Sequence, residues 1–131
     1  VNGIYETLFS KLGNDETLQS LLGGTGGDKK IYPITATVRT ALPAVKISVE
    51  GGETEVGFRI NKPSVEVMVV STAGATELGN ISNRIDTLLN IKSFAGSGIK
   101  VHLVKKVAER DEYDEATLEY RRRLRYNMIV I

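Results

Sequence analysis

The chain has 131 residues, a formal net charge of +1 and no cysteine. That length suits one domain with a core of its own, and the missing thiols exclude disulfides and thiolate metal sites. The near-zero net charge supplies no global pull toward nucleic acid or an anionic membrane, so such a role would need a local patch. No apolar run reaches the length of a membrane span, and nothing at the N-terminus reads as a signal peptide. The expectation from these features is a soluble intracellular protein.

Taken in order, the chain opens with two helical patterns. Asn2 is placed to cap a first helix whose apolar face is Ile4, Tyr5, Leu8 and Leu12, with Phe9 at its edge and Gly13 at its end. Asn14 or Asp15 caps a short second helix with Leu18, Leu21 and Leu22 inward, closed by Gly23. The segment Gly23–Lys30 is glycine-rich but lacks the preceding strand, the following helix and the Gly-Lys-Ser/Thr ending of a phosphate loop. It reads as a flexible connection, as does the polar stretch Thr35–Ala41.

Strands come next. Ile31-Tyr32-Pro33-Ile34 is a short strand whose proline favours an edge. Leu42 to Glu50 alternates, with Val45, Ile47 and Val49 inward. Gly51-Gly52 reads as a turn into a second alternating stretch, with Val56, Phe58 and Ile60 on one face, and Lys62-Pro63 as a break. The spacing predicts an antiparallel meander here. Ser64–Ser71 is apolar on both faces (Val65, Val67, Val69 against Met68, Val70), which predicts an interior strand covered on both sides. After Thr72-Ala73-Gly74, residues Ala75 to about Asn90 have helical spacing at Leu78, Ile81, Ile85, Leu88 and Leu89.

Beyond the helix, Phe94–Gly98 reads as a loop anchored by Phe94, and Ile99, Val101 and Leu103 begin a strand reaching about Val107. Glu109–Glu115 reads as an acidic turn or hairpin tip. The last strand, Leu118–Ile131, has a mostly apolar even face, while its odd face carries Arg121, Arg123 and Arg125. The fold class that follows is α+β: a mostly antiparallel or mixed sheet with an N-terminal helix pair and one amphipathic helix, in a single domain over residues 1–131.

The chemistry-bearing residues are few. His102 is the only histidine, so no nucleophile–base set and no histidine metal site can be assembled. No catalytic, cofactor-binding or metal-binding residue is assigned, and an enzyme is not expected. The acids Asp111, Glu112, Asp114 and Glu115 read first as a solvated hairpin end. The three arginines at period two could grip phosphates, but Tyr120 and Tyr126 point to the opposite face, which separates stacking from charge. Pairing with acids, across the sheet or across a subunit interface, fits them better.

The element order is a helix pair, a glycine loop, Ile31-Tyr32-Pro33, Leu42-Pro43-Ala44-Val45-Lys46-Ile47, a strand over Val65–Val70, a helix with Ile81, Ile85 and Leu88-Leu89, and two long strands joined by an acidic turn. Over nearly the whole chain this resembles the tail terminator (tail completion) family of long-tailed bacteriophages and phage-like tails. The resemblance implies a structural virion protein, a homo-oligomeric ring of six subunits, with the tail tube protein and head connector or neck proteins as partners. It implies a virion location at the head-proximal end of the tail, after assembly in the host cytoplasm. DNA would pass through the ring without specific binding, so the lumen should be neutral or acidic. On this reading Arg121, Arg123 and Arg125 are candidate subunit or partner contacts, and Asp111, Glu112 and Asp114 are candidate lumen or tube-contact acids. Two rival readings are a head–tail connector or neck protein, and a cellular α+β RNA-binding module using the arginine face.

Overall fold

A computed structural model describes residues 3–23, 29–34, 42–54, 61–96 and 99–130, without the side chains of 51–54 and 61. Three helices, α1 (Ile4–Gly13), α2 (Glu16–Leu22) and α3 (Ala75–Leu89), lie against a six-stranded mixed sheet. Its strands are β1 (Ile31–Pro33), β2 (Ala44–Thr54), β3 (Asn61–Ser71), β4 (Phe94–Gly96), β5 (Ile99–Asp114) and β6 (Glu119–Val130). The spatial order is β1-β2-β3-β6-β5-β4, so the last strand lies between β3 and β5. Every pairing is antiparallel except β1 with β2, which is parallel, and the expected meander starts only at β2.

The helices form where the apolar spacing places them. The α1 residues Ile4, Leu8 and Leu12 are buried. Its N-cap position is Gly3, with no side-chain cap; the expected cap, Asn2, lies outside the described residues. At α2 the Asp15 carboxylate accepts from the Leu18 N–H at 2.8 Å, satisfying a first-turn donor. Gly23 ends that helix at φ 72, a conformation glycine adopts without penalty. The α3 residues Leu78, Ile81, Ile85 and Leu89 share one core with Val65, Val67 and Val69 of β3 and Leu124, Tyr126, Met128 and Val130 of β6. A bidentate ion pair ties α2 to α3: Arg84 Nε and Nη2 donate to Asp15 at 2.8 and 2.7 Å.

Irregularities in the ladders correct several expectations. Gly51-Gly52 is not a turn: β2 continues through it to Thr54, and the register with β3 shifts between Glu50 and Glu53. Pro63 does not break the chain but lies within β3, where pairing to β2 and to β6 skips. Proline has no N–H to give, and a bulge is where a strand interior tolerates that. The expected face of Val56, Phe58 and Ile60 lies outside the described residues, as do most of the Gly23–Lys30 segment and all of Thr35–Ala41.

A second shift falls between Val101 and Leu103 on β5. One inserted residue exchanges the faces beyond it, so Val104 is buried and Leu103 is turned outward. Phe94 is not in a loop: it begins β4, which pairs with β5 and packs Phe94 against the core. β5 runs past Val107 to Asp114, so the acidic stretch is strand and the turn is residues 115–118. Leu118 belongs to that turn, at φ 57 and 62% exposed, not to the core face of β6.

β3 is interior to the sheet, as expected, but helices cover only the face bearing Val65, Val67 and Val69. On its other face Met68 stands in register between Lys46 and Arg123, whose long aliphatic stems flank it. No helix among the described residues is long and apolar enough to cross a membrane.

Candidate functional site

The helix-free face of the sheet carries a charge ladder. β6 supplies Arg121, Arg123 and Arg125, which side chains of alternate residues place on that face. β5 brings Arg110 and Glu112 opposite Arg123 and Arg121, and β3 brings Glu66 opposite Arg125. The contacts run mostly on diagonals. Arg123 donates to Glu112 at 3.2 Å and to Glu66 at 3.4 Å, reaching both neighbouring strands. Arg125 spans β3 to donate to Glu50 at 2.9 Å. Arg121 donates to Asp114 at 3.3 Å and Glu119 at 3.2 Å, and Arg110 to Glu112 at 2.6 Å. Of the two arrangements expected for the arginines, the structure shows pairing across the sheet within one chain.

The three candidate acids do not share a face. Glu112 and Asp114 belong to the helix-free ladder, whereas Asp111 stands directly opposite Arg122, on the helix side. There Arg122 Nε and Nη2 donate to Asp111 at 2.7 and 3.1 Å, a bidentate pair. Hydrogen bonding from Arg122 holds the Asp111 carboxyl below the usual range and raises the guanidinium in turn. Glu112 is pushed upward by desolvation, but Arg123 and Arg110 outweigh that and leave it lowered. Asp114 is lowered first by the Ala116 N–H that it accepts, at 2.9 Å.

These shifts have a defined pH consequence. A carboxylate whose folded pKa is depressed contributes stability above its unfolded pKa, and that contribution is lost as pH falls through the folded value. The hairpin should therefore hold constant stability down to the ordinary values of 3.8 for Asp and 4.5 for Glu, then weaken below them. Urea titrations across that range test this. Asp111→Asn should flatten part of the acid limb, and an unchanged limb would remove Asp111 from the account.

Sequence reading missed the apolar end of this hairpin. Tyr113 stacks on Tyr120, with ring centroids 4.7 Å apart, and is 48% exposed beside the exposed Leu118. Tyr113 lies two and four residues from Asp111 and Glu109; that alternation would have marked a strand rather than a turn. Basic side chains that already meet carboxylates on the same sheet are poorly placed to hold phosphates. Among the described residues, no cluster of three or more His, Asp or Glu is placed to hold a metal.

No protein-family model matches the sequence, and no curated protein does. Among solved structures, the chain is similar to one in the virion of a native gene transfer agent (GTA) particle, with TM-score 0.77 and 13% identity. The match covers 97% of this chain and 93% of that one. The two chains share one fold. They share it from end to end, so the sheet order and the helix layer belong to the common architecture.

Proposed function

We propose that this chain is a structural protein of a phage-like virion, and within it a ring-forming tail terminator. The observation that carries the reading is the end-to-end likeness to a virion chain, at TM-score 0.77 over 97% of the residues. The finer role rests on the element order and on the Ile31-Tyr32-Pro33 and Leu42-Pro43-Ala44-Val45 steps described above. In this role the protein performs no covalent chemistry. It caps the tail tube, stops its polymerisation and offers the next surface to the head connector. The work is differential binding: affinity for the tube end, and no surface to which another tube ring can add. A ring requires heterologous contacts, in which one patch of a subunit meets a different patch of the next.

The test is tube growth. Purified protein is added to polymerising cognate tail-tube protein and the products are imaged by negative-stain electron microscopy. The expected result is closed rings at tube ends and shorter tubes as its concentration rises. Tubes of unchanged length with bare ends would overturn the terminator role. Binding to the head connector without effect on tubes would move the reading to a neck protein.

A further inference from the structure

The largest exposed apolar side chains outside the hairpin turn lie along one edge of the sheet. Ile91, just past the end of α3, is 72% exposed, Val107 is 48% and Leu103 is 36%. Ile91 N–H donates to the Val104 carbonyl at 2.7 Å, which fixes it beside the outer edge of β5. β4 covers only Ile99–Val101 of that edge, and among the described residues no strand pairs with its outer side past Val104. Ile91 also holds φ 55. A β-branched residue there is a true outlier, and a residue kept both strained and exposed points to a use beyond folding.

The opposite edge carries the complementary shape. A pocket of about 280 Å³ opens between α1 and the β1–β2 edge, lined by Tyr5, Pro33, Ile34, Ile47, Ser48 and Val49. It is mostly apolar and smaller than the roughly 300–1,000 Å³ typical of small-molecule sites, a size suited to a partner's side chain. Beside it, β1 covers only Val45–Ile47 of β2.

We propose that the occupant of this pocket is a second copy of the chain: the Ile91–Leu103–Val107 edge of one subunit seats against the β1–β2 edge pocket of the next. Ridge and pocket lie on opposite edges of one sheet, so each copy uses each once and the contact is head to tail. Such a contact closes into a ring or runs on as a filament, according to its rotation. The proposal deepens the ring reading above by assigning its interface, and it rests on that reading.

Two variants separate the halves. Ile91→Asp removes the ridge, and aspartate tolerates positive φ; Ile34→Asp blocks the pocket rim. Both should keep the parent's circular dichroism. Each alone should be monomeric by light scattering at concentrations where the parent assembles. Mixed, they should give a dimer and nothing larger, because one intact ridge meets one intact pocket. Ile91→Gly should weaken assembly about tenfold or more, as for one lost buried aliphatic side chain, with monomer stability kept or raised.

Either folded aspartate variant assembling like the parent would overturn the proposal. So would a mixture that stays monomeric, or a parent that is monomeric up to its solubility limit. The two readings fail separately. Complementation without tube capping removes the terminator role and leaves the contact standing; capping by rings of both aspartate variants does the reverse.

Discussion

Replacing Ile85 by alanine is expected to remove about 2–5 kcal/mol of folding stability, the range for deleting an isoleucine inside a packed core. Ile85 is fully buried on the inner face of α3, one turn from Ile81 and Leu89. The face it joins is built by β3 and β6, the two central strands. A domain of this size commonly has only about 5–15 kcal/mol in all, so the loss is a large share. Urea unfolding should show a lower midpoint with an unchanged slope. Met68→Ala is the paired control. Met68 is also nearly buried, but on the helix-free face and outside the main core cluster. Lysine and arginine stems beside it can settle into the space, so its loss should be smaller, about 1–2 kcal/mol. Equal losses at the two positions would contradict a core confined to one side of the sheet.

The same two faces show what could be read ahead of the structure. α3 was legible because its period of 3.6 is uninterrupted from Leu78 to Leu89. β6 was legible for a similar reason: Leu124, Tyr126, Met128 and Val130 alternate without a break, and all are buried. β2 and β5 were not, because each holds a residue more than a regular ladder allows. A bulge keeps the strand but exchanges its faces, and nothing in local composition separates Gly51-Gly52 in a bulge from Gly51-Gly52 in a turn. Hence Leu103 was expected inside and Val104 was not singled out.

The arginine stripe was visible, but its partners were not. Arg125 meets Glu50 across an intervening strand, and Arg123 meets Glu66 and Glu112 on opposite sides. Those meetings depend on β6 lying between β3 and β5, a long-range choice that the order of elements in the chain does not state. The strained, exposed Ile91 was hidden for another reason. It directly follows an apolar helix face and differs from that face only in its backbone angle.

Tyr126→Phe should change the alkaline limb of stability more than the neutral plateau. Tyr126 is fully buried on β6, and its hydroxyl donates to Asp86 Oδ1 of α3 at 3.1 Å. Lys106 Nζ stands 3.7 Å from the same oxygen, so the carboxylate keeps a partner in the variant. At neutral pH the lost hydrogen bond should cost about 1 kcal/mol. Burial first, and the negative Asp86 second, push the phenol well above its ordinary value of 10.0. A group raised in the folded state contributes stability that is complete below the unfolded pKa and is lost as pH climbs toward the folded one. Above pH 10, therefore, each further unit should cost the parent about 1.4 kcal/mol from this residue alone. The phenylalanine variant cannot ionise and is spared that loss. Tyr5, also raised, is present in both proteins and cancels in the comparison. The two stability curves should consequently cross within about one pH unit above 10, with the variant the more stable beyond the crossing. Parallel curves through that range would mean that the Tyr126 phenol ionises in the folded protein without cost, and that the contact between α3 and β6 opens to water.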